Sequence, residues 1–204
     1  AASEELYAKL VDFGRRHGIL ICNDNPYSFI LNDRPLSILA QPGAKECCLE
    51  LNSLSKSHNM AGWRIGMVAA EPEIISEILK VKSQMDSGMF KPLQVAAVEA
   101  LSQGPEWFAE LNAEYARRRV LAGEIFDMLG AEYDHDSTGM FLWGRVGQAG
   151  AEVSDKLLYE AGVFITPGFI FGKNGDNYIR ISLCSKPEVL KRAAEKIKAV
   201  IRKD

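Results

Sequence analysis

"LNSLSKSHNMAGWRIG", residues 51–66, is the stretch on which the reading of the whole chain turns. A strand-like run, "ECCLELNSL" at 46–54, leads into it, and another, "IGMVAA" at 65–70, leads out. Between them a single lysine, Lys56, stands among Ser53, Ser55 and Ser57, with Arg64 eight positions on. The segment is neither a charge run nor an amphipathic helix. A lysine on a small-residue turn at the end of an apolar strand can be held out of bulk water. Desolvation and nearby positive charge lower its pKa and make the amine nucleophilic toward carbonyls. The guanidinium of Arg64 and the hydroxyls of Ser53 and Ser55 suit a phosphate.

Working outward, the chain alternates helix and strand. Residues 4–16 place Leu6, Leu10, Val11 and Phe13 at helical spacing, with Ser3 as cap and Gly18 as stop. "ILIC" at 19–22 reads as a short buried strand and "NDNPYSF" at 23–29 as the loop at its end. That rhythm is the α/β one, with a mainly parallel sheet. The helix at 4–16 has no strand before it, so it is expected to lie on a sheet begun earlier in a larger fold. Two helices are expected at 72–85 and 92–102, and a long one at 104–130. After Gly130 come strands in "AEYDHDSTGMFLWGRV", "VFITPG" and "NYIRISLC", a helix in "GAEVSDKLLYEAG", and a closing amphipathic helix in "KPEVLKRAAEKIKAVIRK". The expected organisation is 1–105 as part of a large domain, 106–130 as an interdomain helix and 131–204 as a small α+β domain.

Composition excludes several classes. The 204 residues carry a formal net charge of −3, which argues against a nucleic-acid partner. No apolar run is long enough for a membrane helix. Cys22, Cys47, Cys48 and Cys184 form no CxxC pair and no Cys/His metal spacing, so no metal is expected. Cys22, Cys47 and Cys184 lie in apolar runs and read as buried thiols, in a reducing, cytoplasmic setting. The "RRR" at 117–119 winds round a helix and reads as solvated surface.

Three further residues bear on the chemistry. Asp24 ends an apolar strand, where α/β sheets present ligands. A Schiff-base lysine beside a phosphate site is what pyridoxal phosphate requires, and a carboxylate against its pyridine nitrogen keeps that nitrogen protonated. Tyr27 can donate to the ring oxygen. Arg180 sits between Ile179 and Ile181 in a strand and shares a face with Tyr178 and Ser182. A charge there is costly unless paired, and a substrate carboxylate is a bidentate partner. Taken singly, each has a plainer reading: an incidental lysine on a surface turn, a turn aspartate, a packing tyrosine, a salt-bridged or exposed arginine.

Taken together, "NDNPY", "SLSKSHNMAGWRIG" and "YIRIS" resemble, in order and approximate spacing, the class I/II pyridoxal-phosphate aminotransferases of fold type I. The resemblance implies a fold: part of the large cofactor-binding domain followed by a small C-terminal α+β domain. It implies that Lys56 is the catalytic lysine bonded to pyridoxal 5′-phosphate. Asp24 would meet the ring nitrogen and Tyr27 the ring oxygen. Ser53, Ser55 and Arg64 would hold the phosphate, and Arg180 the substrate α-carboxylate. It further implies transfer of an amino group from an L-amino acid to a 2-oxo acid, and a homodimer in the full-length protein. The match corresponds to the C-terminal half of the family's chain. On that reading the glycine-rich phosphate loop, the ring-stacking aromatic and an asparagine that touches the ring oxygen belong to sequence outside this chain. Two alternatives share these residues: a carbon–sulfur lyase or synthase of the same fold, and a non-catalytic truncated domain. A new oxo acid formed from an amino acid and 2-oxoglutarate marks the transaminase, pyruvate and ammonia from a sulfur amino acid mark the lyase, and turnover separates both from the truncated domain.

Overall fold

A computed structural model describes residues 1–202. Its contacts divide the chain into two compact units between Ala109 and Glu110. Lys203 and Asp204, which the expected closing helix and small domain reach, lie outside the described residues.

In the first unit, α1 spans Glu4–His17. The Ser3 hydroxyl accepts from the Leu6 N–H at 3.1 Å, filling one of the donors a helix start leaves open. Gly18 ends it at φ 61°, a left-handed conformation that glycine adopts without a Cβ penalty. Tyr7 and Val11 of α1 pack with Ile38, Ala44, Cys47 and Cys48 in a core under the sheet.

That sheet has the order β1 (Ile21–Asp24), β2 (Cys48–Ser53), β3 (Gly66–Ala69). β1 runs parallel to β2, but β3 runs antiparallel to it. The sheet is therefore mixed rather than mainly parallel. The physical reason is the connection: a short helix and a turn reverse the chain between Ser53 and Gly66, with no crossover helix to carry β3 round to a parallel position. β1 also departs from the expected buried strand. It starts two residues later than "ILIC", reaches Asp24 and alternates half-buried with exposed, leaving Cys22 at the surface. Cys184 is exposed as well, so among the three cysteines read as buried only Cys47 is.

The short helix is α2, Leu54–Ser57. α3 (Pro72–Met85) and α4 (Lys91–Leu101) follow, each with proline in its first turn, where no intrahelical N–H is needed. α5 (Pro105–Met128) begins in the first unit and continues into the second.

The second unit is built on an antiparallel sheet ordered β4 (Glu132–Tyr133), β5 (Phe141–Arg145), β7 (Tyr178–Ser182), β6 (Thr166–Pro167). Leu142, Ile179 and Ile181 are buried, as are Ile125 and Phe126 of α5 and Leu190 and Ile197 of α7 (Pro187–Ile201). Gly144 is required by close approach: a Cβ there would lie 2.7 Å from the Phe126 ring. "VFITPG" contributes only two paired residues, because the chain turns away at Gly168, where a Cβ would collide with the Gly175 carbonyl oxygen. The helix expected at 150–162 is α6 (Gly150–Lys156) followed by a π-helical turn that Gly162 stops at φ 62°.

The arginine triplet is not simply solvated. Arg118 donates to Glu114 at 2.9 Å and to the Leu183 carbonyl at 3.1 Å, with its side chain only 18% exposed. Arg119 donates to the Ser137 carbonyl at 3.1 Å. Arg117 and Glu114 form an exposed ion pair. These contacts bolt α5 to the loops beyond it, a role invisible to helical periodicity.

Candidate active site

Lys56 sits on α2, and the reason the chain bends there is local. Leu54 is buried with Met60 and Ile65 against Leu93, Ala96, Ala97 and Ala100. This pins one side of α2 and leaves Ser55 and Lys56 half-buried. Ser53 caps α2: its Oγ accepts from the Ser55 N–H at 3.0 Å. The same oxygen lies 2.7 Å from Ser55 Oγ and 3.1 Å from the Ile65 carbonyl. The Leu54 N–H donates to that carbonyl too, at 3.2 Å, so the residue after Arg64 is tied to the start of α2. Arg64 itself holds φ 55° and is exposed, with one Nη1–H on the Ala61 carbonyl at 3.0 Å. Ser53 and Gly66 are opposed across β2 and β3. Gly66 allows this approach, since a Cβ would lie 3.0 Å from the Asn52 carbonyl oxygen, whereas Gly62 faces open space.

The remaining neighbours of Lys56 are structural. Trp107 Nε1 donates to the Ser57 carbonyl at 2.8 Å and closes the end of α2. His58 is stacked 6.2 Å from the Trp107 ring and edge-on to Phe108 at 5.5 Å, with Nδ1 2.8 Å from Ser57 Oγ. Burial lowers the His58 pKa and so favours the neutral ring. Asn59 takes the left-handed φ of 54° that closes the turn, as expected for a turn residue.

Tyr27 meets Lys56 here, and Asp24 lies at the same sheet edge. Lys56 Nζ lies 5.8 Å from the centre of the Tyr27 ring, within cation–π range. Asp24 is the last residue of β1, opposite Leu51 of β2, and is exposed. β1 and β2 being parallel, Asp24 and Ser53 stand at the same, C-terminal edge of the sheet. Lys56, Tyr27, Ser53, Ser55, Arg64 and Asp24 all belong to the first unit. An ammonium, a guanidinium and two hydroxyls in one turn form a donor set for a phosphorylated carbonyl compound.

Arg180 belongs to the second unit and has surroundings of its own. Alternation along β7 holds: Ile179 and Ile181 are buried, and Tyr178, Arg180 and Ser182 are half-buried. The guanidinium lies between two aromatic rings, 4.3 Å from Phe141 and 4.2 Å from Phe171. Among the described residues, its Nε is buried without a hydrogen-bond partner. The plainer reading, a salt bridge to an acidic residue, is not what surrounds that nitrogen. The aromatic sandwich escaped sequence reasoning. Strand alternation in "MFLWG" could have put Phe141 on this face, but Phe171 comes from a turn with no periodic signal. Met140 and Leu142 are core, as expected of that strand.

The sequence profile described as aminotransferase class I and II matches residues 1–197. The chain belongs to that family. It is 40% identical over 200 residues to an LL-diaminopimelate aminotransferase of Natranaerobius thermophilus, covering 96% of this chain and 52% of the relative. Among solved structures it resembles substrate-bound BacF from Bacillus subtilis, with 33% identity, a TM-score of 0.90, and coverage of 98% of this chain and 52% of the other. A probable N-succinyldiaminopimelate aminotransferase from Thermus thermophilus gives 32% identity and a TM-score of 0.89, covering 98% and 55%. The α/β fold of these aminotransferases is thereby shared. The chain spans about half the length of the curated relatives it matches. Among the described residues no helix is long and apolar enough to cross a membrane, and no cluster of His, Cys, Asp and Glu could hold a metal ion.

Proposed function

We propose that this chain carries the lysine-bearing part of a pyridoxal 5′-phosphate-dependent transaminase site. The observation that carries the proposal is the placement of Lys56 on a capped turn beside Tyr27, with Ser53, Ser55 and Arg64 in the same turn region. The residues fit the cofactor of this family. Two hydroxyls and an exposed guanidinium suit a phosphate, and a half-buried primary amine suits an aldehyde carbon. When bound, the cofactor supplies a ring that draws electron density from the substrate's Cα.

The chain's own residues are then assigned as follows. Lys56 Nζ would hold the cofactor through its aldehyde carbon, and as a free primary amine it would take the proton from the substrate Cα. Asp24 would keep a proton on the ring nitrogen, Tyr27 would donate its hydroxyl to the ring oxygen, and Ser53, Ser55 and Arg64 would hold the phosphate. Arg180 is assigned a carboxylate: its stacked, partly unpartnered fork is preorganised for a bidentate anion.

The amino donor proposed first is LL-diaminopimelate, on the names of the relatives, with 2-oxoglutarate as acceptor. The domain assignment of 1–105, 106–130 and 131–204, a homodimer in the full-length protein and a cytoplasmic setting belong to the same proposal. The last is supported by four unpaired cysteines. Placement at the C-terminal half of the family's chain is not carried by the matches, which give a share of about half, and rests on motif order alone.

The test is to incubate the chain with cofactor, LL-diaminopimelate and 2-oxoglutarate and to follow glutamate. Glutamate formation that Lys56→Ala abolishes supports the proposal. Pyruvate and ammonia from a sulfur amino acid, without glutamate, would assign the site to a lyase instead.

A further inference from the structure

A carboxylate that the proposed reaction does not use lies buried beside β1. Glu50 is 8% exposed and stands opposite Asn23 in the β1–β2 register. Its Oε2 accepts from Asn23 Nδ2 at 2.9 Å, Ser37 Oγ at 2.8 Å and the Ile38 N–H at 3.1 Å. Its Oε1 accepts from Asn25 Nδ2 at 3.4 Å. The second amide hydrogen of Asn23 goes to the Tyr7 hydroxyl at 3.2 Å, and that of Asn25 to the Leu36 carbonyl at 3.1 Å. Glu50 thus gathers the end of β1 and residues 37–38 onto one carboxylate, and Asn23 and Asn25 extend the network to Tyr7 of α1 and to Leu36.

The two asparagines it holds are the residues immediately before and after Asp24. Strand geometry alternates side chains, so tethering both neighbours to one side directs Asp24 to the other. The Asn25 N–H also continues the ladder, donating to the Leu51 carbonyl at 3.0 Å. We propose that Glu50 is a positioning residue for Asp24: by anchoring both flanking side chains it fixes the direction in which the Asp24 carboxylate is presented. This rests on the assignment of Asp24 to the cofactor's ring nitrogen. A carboxylate suits the task better than an amide. Four donors converge on its two oxygens, and a glutamine would have to turn an N–H toward one of them.

The test has two readouts on the full chain, applied to the wild type, Glu50→Gln, Asp24→Asn and the double variant. Asn25→Ser, which cuts one flanking tether at a half-buried site, serves as a milder second variant. Without cofactor, amide hydrogen exchange at Asn25 is expected to quicken about fivefold in Glu50→Gln, as for one net hydrogen bond, with α3 unchanged. Unchanged exchange at Asn25 overturns the anchoring. With ring-¹⁵N pyridoxal phosphate bound, the ¹⁵N shift reports the ring proton. Glu50→Gln and Asn25→Ser should move it in the direction Asp24→Asn moves it. In the Asp24→Asn background Glu50→Gln should add nothing. Equal shifts in both backgrounds, or none in either, reduce Glu50 to a fold-stabilising group and overturn the proposal. If Asp24→Asn itself leaves the shift unmoved, the assignment of Asp24 fails, and any role of Glu50 toward the ring fails with it, whatever exchange at Asn25 shows.

Discussion

Replacing Arg180 by methionine separates its two roles at the level of one side chain. Methionine fills the slot between Phe141 and Phe171 with an unbranched apolar chain and removes a buried Nε that has no hydrogen-bond partner among the described residues. Losing the two cation–π contacts, roughly 0.5–1 kcal/mol each, is offset by losing that unsatisfied donor, worth about 1–3 kcal/mol. The expected result in a urea melt is a stability change below about 1 kcal/mol. Affinity of the cofactor-loaded chain for an amino-acid carboxylate should fall about tenfold or more, as for a hydrogen bond to a charged group, worth about 1.5–3 kcal/mol. A large stability loss with unchanged affinity would make Arg180 a packing residue. The cysteines give a second residue-scale prediction. Iodoacetamide on the native chain should label Cys22 and Cys184, which are exposed, and spare Cys47 and Cys48, which are buried. Burial, then the Cys47 contact, push the Cys48 thiol from 9.0 to about 12. Because the folded value is raised, the thiol's contribution to stability is complete below pH 9 and is lost as pH climbs from there toward 12. Cys48→Ala should flatten that alkaline decline in melts across the range.

α2 is four residues long and cannot hold itself together by its own backbone bonds. Its position depends on Leu54, 2% exposed, in the cluster with Met60 and Ile65. Leu54→Ala should cost about 2–5 kcal/mol of stability, as buried leucine truncations do. In a variant that still folds, it should also weaken cofactor capture, because Ser53, Ser55 and Lys56 ride on the same turn. Equilibrium unfolding and a cofactor titration check the two halves of that expectation. Elements fixed by their own ends were legible from the sequence: Ser3 and Gly18 bound α1, and Pro72 opens α3. Elements whose state depends on distant partners were not. The direction of β3 follows from how the turn after Ser53 reverses, and "VFITPG" loses most of its pairing because Gly168 meets Gly175. For the site, Lys56 and Tyr27 were readable as candidates from local pattern. The contact between them, and the Phe171 ring over Arg180, come from tertiary folding that periodicity does not encode.

Across the whole chain, the family match runs over residues 1–197 while the relatives are about twice as long. Each unit nevertheless organises its own side chains of the proposed site: the first holds Lys56 beside Tyr27, and the second holds Arg180 between two rings. The central claim is that the first unit's turn captures pyridoxal phosphate at one lysine. It is tested most directly by adding the cofactor, reducing with borohydride and mapping the modified peptides by mass spectrometry. The account predicts a reduced adduct confined to Lys56 and absent from Lys56→Ala. No adduct, or labelling spread over many lysines, would contradict it.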